Sequence, residues 1–379
     1  MMHSPPCHVC GGKLCELRGF PVAIQVTSDC RPWRGSGHLA TCSGCGTLQK
    51  SVTDDWLQEM RSLYAGYSIY EQGGGREQVS FDEGSGAGIA RSKKITDWLC
   101  ATGSLAQDGA LLDIGCGNGA FMRAFGEHRP HWHMTGLELD ARNRASIEAI
   151  PGAVNLHVGT LESLDARFDL IVLVHALEHI PHPVQYLRGL SGRLNPGGMV
   201  LIEVPDLDRS PFDILIADHC THFNAHTLRS IVNMGGFEIL YIEAGRVAKE
   251  LTLLARHPAR TNDAAVAAPD EDGEVTAKRL LAWLERVLAQ GQSIQAPVGI
   301  FGTSISATWL AGALGEKVKF FVDEDANRIG RQHMGLPIHS PQNAPGDLAI
   351  LMPLRADIAA SVRARLSHTH LQFVGPPAG

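Results

Sequence analysis

The chain is predicted to be an α/β protein built around a doubly wound domain, with a cysteine-rich head before it and a second, shorter α/β unit after it. Three observations predict this. Between residues 110 and 257, short apolar runs alternate with stretches of helical period. The first of those runs ends in a loop of small residues, Asp113-Ile-Gly115-Cys-Gly117-Asn-Gly119. Six of the nine cysteines fall before residue 46.

At 379 residues the chain is long enough for two or three domains. A net charge of −7 argues against a broad nucleic-acid-binding surface. No apolar run reaches the roughly 18 residues of a membrane span. The opening "MMHSPPCHVC" lacks the apolar core of a signal peptide. A cytoplasmic protein with no nucleic-acid or membrane partner is expected.

The elements follow in order. Residues 1–50 form the Cys- and Gly-rich head, and 51–109 a helical lid or linker region. That region opens on a helical pattern (Trp56, Met60, Leu63) and closes on another, "IARSKKITDWLCA", with a polar Gly/Ser-rich stretch between. Tyr64, Tyr67 and Tyr70 precede that stretch and belong either to a lid or to helix packing. In the domain at 110–257, strands are expected at 110–114, 133–138, 154–158, 168–174, 198–204, 237–243 and 250–255. Helices are expected around 119–128, 141–149, 183–193 and 226–234. The last two strands have no helix between them, which suits an antiparallel hairpin at a sheet edge. Residues 258–275 are Ala/Asp/Pro-rich and aperiodic, and read as a linker. The unit at 276–379 has a helix at 276–291, then strand "VGIF", loop "GTSIS", helix "ATWLAGALG" and strand "VKFFVDED". A further strand, "LAILMP", and a helix at 355–366 follow.

Cys7-x-x-Cys10 and Cys42-x-x-Cys45, separated by 31 residues, supply four thiolates in two knuckles. Zinc takes four such soft ligands tetrahedrally without redox chemistry. Gly11, Gly44 and Gly46 allow backbone amides to approach the sulfurs. Free thiols or a redox pair are the alternatives, and His8 or His38 are candidates to replace a cysteine. Cys15, Cys30, Cys100, Cys116 and Cys220 have no partner pattern.

The glycine loop sits where doubly wound sheets bind cofactors, at the carboxyl end of the first strand. Asp113 precedes the first glycine, where a pyrophosphate-binding turn wants no charge. An acid there suits a ligand carrying an amine and a sulfonium. Glu138 ends the next strand, 19 residues after Gly119, where an acid can accept from ribose hydroxyls. The third strand ends at Thr160-Leu161, where an adenine would be flanked. In the last unit Gly299 and Gly302 lack the third glycine of a dinucleotide site. A platform for a substrate's nucleotide, or a structural lobe, is the reading there.

The motifs "DIGCGNG", "GLELD", "FDLIVLVHALEHIPHP" and "LNPGGMVLIEVPD" resemble those of class I S-adenosylmethionine-dependent methyltransferases, in the family's order and spacing. The resemblance implies a Rossmann-like core and the cofactor S-adenosylmethionine. It implies that Gly115, Gly117 and Gly119 hold the methionine part, Asp113 its amine and Glu138 the ribose. Thr160, at a position where the family often has aspartate, and Leu161 would lie by the adenine, and His175 would face the sulfonium.

The whole layout resembles the zinc-containing nucleotide-sugar C-methyltransferases: a zinc-ribbon head, a methyltransferase core and a second Rossmann-like domain carrying a stretch similar to "FFVDEDANRIGRQHMGLPIHSP". That resemblance implies Zn²⁺ at Cys7, Cys10, Cys42 and Cys45, and a base that removes a proton alpha to a ketone so that the resulting carbanion takes the methyl group. Histidine suits the base. The family's catalytic stretch is similar to "IADHCTHFNAHTL", which makes His219 the base, Asp218 its orienting acid and His222 an alternative base. The family has Tyr-His where this chain has Ile216-Ala217. The expected function is therefore methylation of a small molecule, a nucleotide-linked keto sugar at carbon. Methylation of oxygen or nitrogen on another glycan or metabolite is the alternative. A non-catalytic zinc-ribbon binding protein and an NAD-dependent oxidoreductase are disfavoured by Asp113, the three glycines and Glu138.

Overall fold

A computed structural model describes residues 5–35, 37–67, 77, 79–81, 88–258 and 273–378. Tyr70 and residues 259–272 of the expected linker lie outside them. The central sheet has seven strands: β1 (Ala110–Ile114), β2 (His133–Glu138), β3 (Ala153–Val158), β4 (Phe168–Val174), β5 (Leu194–Pro205), β6 (Glu238–Ala244) and β7 (Glu250–Arg256). Their spatial order is β3-β2-β1-β4-β5-β7-β6. The first five run parallel. β7 is antiparallel to both β5 and β6, so the expected hairpin forms and leaves β6 at the edge. Leu111, Leu112 and Leu170 to Leu173 are fully buried, as continuous apolar strands covered on both faces must be.

Helix Ala120–His128 follows β1 and buries Phe121, Met122 and Phe125. The helix expected at 141–149 is reduced to Arg144–Glu148. Before it, the Asp140 carboxylate accepts from the Arg142 amide at 2.9 Å, a local turn that competes with helix. After it, Pro151 disfavours helical backbone at Ile150. Helix Gly273–Ser293 starts inside the segment read as linker.

The head is a small antiparallel sheet of Leu14–Glu16, Leu39–Cys42 and Leu48–Lys50, and it gains a fourth strand, Thr221–His222, from beyond β5. The register pairs Thr221 with Gln49 and His222 with Leu48. A two-residue strand carries no periodic signal, so this join was invisible in the sequence. The C-terminal unit is a six-stranded sheet with Val298–Phe301 and Val318–Val322 at its centre. Its strands Gln332–His333, Leu336–His339 and Gln372–Val374 were not expected from the sequence.

Two cores bind these parts. Cys7, Val9, Cys42 and Cys45 pack into the same cluster as Leu112, Leu173, Leu177 and Leu228 of the central unit. Leu17, Val22, Ile24, Leu39 and Leu48, from the other side of the head, pack with Leu281, Leu284 and Trp309 of the C-terminal unit. Trp309 is fully buried, lies against Phe212, and donates its indole N–H to the Val22 carbonyl at 2.8 Å. A Cβ on Gly312, one turn on, would come within 2.3 Å of Ile24 Cδ1, so a larger residue there would have to push the Ile24 side chain aside. No described helix is long and apolar enough to cross a membrane.

Trp309→Ala should therefore lower the stability of the whole chain by about 3–5 kcal/mol. Trp309→Phe, which keeps an aromatic ring but loses the hydrogen bond and part of the indole's packing, should cost less, about 1–3 kcal/mol. Denaturant unfolding followed by fluorescence reads both, and equal losses would put the effect entirely in the hydrogen bond.

Candidate active site

A cavity of about 710 Å³ opens at the carboxyl ends of β1, β2, β3 and β4. β1 delivers Asp113, and the chain then turns through Gly115 (φ +69°), Gly117 (φ +56°) and Gly119 (φ +80°) into helix Ala120–His128. Left-handed backbone at three alternate positions is open to glycine at little cost. A Cβ on Gly119 would come within 2.7 Å of Ile150 Cδ1, which closes the turn against the next segment. Asp113 is buried, and its Oδ2 has no hydrogen-bond partner among the described residues. Burial, and then the nearby Glu138 charge, push its carboxyl well above the usual range. An uncompensated buried carboxyl of this kind is a seat for a cation. Glu138 accepts from the Gly117 amide at 2.6 Å, which fixes its carboxylate at the rim and leaves it further acceptor capacity. Thr160 and Leu161 continue the wall. A ligand with a cationic amine and a vicinal diol fits this donor and acceptor set.

β4 supplies a second wall. His175 is held at φ +52° and turns both ring nitrogens to carboxylates, Nδ1 at 3.1 Å from Glu178 and Nε2 at 3.0 Å from Glu250. Burial and the Arg91 charge pull its pKa down, but Glu250 and Glu178 outweigh them and lift it to about 9. Arg91 in turn pairs with Glu250 at 2.9 Å. His175 lines the cavity with a carboxylate within ion-pair distance of each ring nitrogen.

The third wall comes from the segment after β5. Turn Pro211–Leu215 presents Asp213, which is buried and takes one histidine on each oxygen. His219 Nδ1 lies 2.8 Å from Oδ1 and His222 Nδ1 lies 2.6 Å from Oδ2. Burial pushes Asp213 up, but the charges and hydrogen bonds of the two histidines outweigh it and hold the carboxyl far below the usual range. Burial lowers His219, and the Asp213 charge more than reverses this. With Nδ1 donating to a carboxylate, neutral His219 carries its lone pair on Nε2, and the ring lines the cavity.

Two expectations are corrected here. Asp218 does not orient His219: its carboxylate is taken by the Ser28 amide at 2.9 Å and the Ser28 hydroxyl at 2.5 Å, with the Tyr64 hydroxyl at 3.4 Å. Adjacent residues in this turn point apart, and the acid that reaches His219 is Asp213, six residues earlier. His222 does not line the cavity; it is fully buried behind Asp213, and burial lowers its pKa to about 4. Sequence reading also missed His179, whose Nδ1 is 3.0 Å from the Tyr64 hydroxyl and whose ring meets that of His219 edge-on at 4.7 Å. The only signal for it was its place in "HALEHIPHP".

The C-terminal unit closes the cavity. Ser304, Ile305 and Ser306, at the start of helix Ile305–Leu314, line it together with Arg328. Arg328 is fixed by Thr303 Oγ1 at 2.8 Å, and Thr303 by Asp323 at 2.8 Å.

Away from the cavity, the sulfurs of Cys7, Cys10, Cys42 and Cys45 lie within 4.8 Å of one another. The Cys7–Cys45 and Cys10–Cys42 separations are 3.7 and 3.4 Å. Four sulfurs at about 2.3 Å from a tetrahedral zinc would be roughly 3.8 Å apart. The Val9 and Gly44 amides point at Cys7 and Cys42 at 3.4 and 3.3 Å. The four residues fit zinc.

A family model described as a methyltransferase domain matches residues 90–242. The chain is 26% identical over 327 residues to the C-methyltransferase NovU of Streptomyces niveus, covering 77% of this chain and 75% of that protein. It is 26% identical over 123 residues to a ubiquinone biosynthesis O-methyltransferase of Aeromonas salmonicida, covering 30% of this chain and half of that enzyme. Among solved structures, an S-adenosylmethionine-dependent methyltransferase from Clostridium acetobutylicum aligns with a TM-score of 0.37 at 14% identity, covering 44% of this chain and 92% of that one. The chain thus carries a class I S-adenosylmethionine-dependent methyltransferase domain on an α/β Rossmann-like fold. It is an enzyme of the methyltransferase class.

Asp213→Asn removes the anion that holds His219 up. The His219 titration, followed by NMR of its ring carbon, should fall by about 1–3 pH units. An unchanged midpoint would mean that Asp213 carries no charge beside it.

Proposed function

We infer that this enzyme methylates a small acceptor, a nucleotide-linked sugar at the carbon beside a keto group, with His219 as general base. The observation that carries this reading is the convergence of three elements on one cavity. These are the Asp113 and Glu138 carboxyls around the glycine loop, the Asp213-anchored His219, and the Ser304, Ser306 and Arg328 groups of the C-terminal unit. Similarity to a C-methyltransferase along 77% of the chain supports the choice of carbon.

In this reading Gly115, Gly117 and Gly119 cradle the methionine part of S-adenosylmethionine, Asp113 takes its amine, Glu138 its ribose hydroxyls, and Thr160 and Leu161 flank its adenine. When bound, the cofactor supplies an electrophilic methyl group on a sulfonium. His219 accepts the acceptor's proton at Nε2, and Asp213 stabilises the imidazolium that forms. His175, charged and clamped between Glu178 and Glu250, shapes the wall near the reacting centre without giving up a proton. Ser304, Ser306 and Arg328 offer hydroxyls and a guanidinium suited to a diphosphate. Cys7, Cys10, Cys42 and Cys45 hold a structural zinc, and the head, the core and the C-terminal unit act as three domains around one site.

A second reading, methylation of oxygen or nitrogen, is favoured by Ile216. It lines the cavity with no hydroxyl to hold an enolate oxygen, and a heteroatom acceptor needs only position and a base.

The test is a transfer assay on nucleotide sugars with and without a 4-keto group, read by mass and NMR. A methyl on carbon, on keto sugars alone, supports the first reading; a methyl on oxygen or nitrogen supports the second and rejects the first. In the same assay His219→Asn should lower turnover by at least about 100-fold with cofactor affinity unchanged. Glu138→Ala should weaken cofactor binding by roughly tenfold or more. Because Asp213 holds His219 above its ordinary value of about 6.5, activity should rise with pH through a limb above that value. Metal analysis should return one zinc per chain, lost together with thermal stability in Cys42→Ser.

A further inference from the structure

The short turn Leu177–His179 follows β4 and sets two neighbouring side chains against the segment after β5. Glu178 is fully buried. Its Oε1 lies 3.1 Å from His175 Nδ1, and its Oε2 has no hydrogen-bond partner among the described residues. A buried carboxylate oxygen left in this way is costly unless a donor or a cation completes it. The Glu178 carbonyl accepts the Cys220 amide at 2.8 Å, which ties this turn to the residue after His219.

Two imidazoles stand beside that carboxylate. A Glu178 oxygen and one ring nitrogen each of His179 and His219 all lie within 4.8 Å of one another. The two rings meet at 89° with their centroids 4.7 Å apart. The Nδ1 of each already has an oxygen partner. His219 Nδ1 lies 2.8 Å from Asp213 Oδ1, and His179 Nδ1 lies 3.0 Å from the Asp218 carbonyl and 3.0 Å from the Tyr64 hydroxyl. A histidine that ligates a metal through Nε2 is oriented in just this manner, its Nδ1–H given to a carboxylate or a backbone carbonyl. His179 and His219 line the cavity, and Glu178 lies beneath them. An ion held by the three would keep open coordination positions toward the cavity. Two imidazoles and one carboxylate suit divalent zinc, iron or cobalt, whereas magnesium and calcium take oxygen ligands.

We propose that Glu178, His179 and His219 form a second metal site, separate from the four cysteines, for a divalent transition ion, and that this ion switches the enzyme off by taking the Nε2 lone pair of His219. The switching rests on the reading of His219 as base; the site itself does not. Three ligands hold an ion less tightly than four thiolates, so the chain carries its zinc on the cysteines and takes the second ion on addition.

The test uses the full chain with its cysteine-bound zinc, titrated with Co²⁺ and followed by visible absorption and metal analysis. One cobalt per chain should bind in addition to the zinc, without the sulfur-to-cobalt charge-transfer band that thiolate ligation gives. Glu178→Gln and His179→Asn should each weaken that binding by at least about tenfold. Zinc retained on the cysteines shows that a variant is folded, and two variants cover the case in which one is not. Cobalt that only replaces the zinc, or that binds both variants as it binds wild type, would overturn the proposal. In the transfer assay the rate should fall by at least about tenfold as the second site fills. A rate unchanged or raised with cobalt bound there would uphold the metal site, overturn the switch and reject His219 as base, which separates the two failures.

Discussion

Everything at the site depends on a two-residue β pairing. Thr221 and His222 leave the central unit and complete the sheet of the head opposite Gln49 and Leu48. That pairing fixes the segment carrying Asp213 and His219 against the cysteine knuckles on one side and the cavity on the other. His8, inside the first knuckle, adds a contact from its Nε2 to Thr221 Oγ1 at 2.8 Å. The Gln49 side chain reaches the Cys7 sulfur at 3.8 Å and the His8 amide at 3.3 Å. The head is thus part of the wall that holds His219.

The electrostatics follow from the same constraint. Several buried carboxyls gather around the cavity, and each has its own surroundings. Asp213 has an imidazole Nδ1 within hydrogen-bond distance of each oxygen. Glu250 is paired with Arg91 and His175. Glu203, fully buried beside Glu250, is pushed well above the usual carboxylate range by burial and then by that neighbour. At the glycine loop the Asp113 Oδ2 has no hydrogen-bond partner among the described residues.

The C-terminal unit contributes differently. Its first strand-to-helix turn, at Gly302 (φ +85°), faces the same cavity as the glycine loop of the central unit. The two units thus line one cavity from two sides. Trp309 and Gly312 set the distance by docking that unit on the head.

The sequence by itself determined the central sheet, the glycine loop and the cysteine set, because each is a local pattern. Apolar runs such as "LLDI" and "LIVLV" dictate buried strands, three alternate glycines dictate left-handed turns, and Cys-x-x-Cys dictates a knuckle. Asp113, Glu138 and His219 were legible because strand ends and motif order place them. Only the tertiary structure decided which acid serves His219. Asp218 is its chain neighbour, yet Asp213 is its partner, since a turn sends adjacent side chains to opposite sides and brings residues six apart together. The same holds for His222, removed from the cavity by pairing with the head, and for Lys50, Arg91 and Arg328. Lys50 reaches the Ile214 carbonyl across 164 residues of chain, Arg91 reaches Glu250 across 159 and Arg328 reaches Thr303 across 25, and no local pattern encodes a contact of that range.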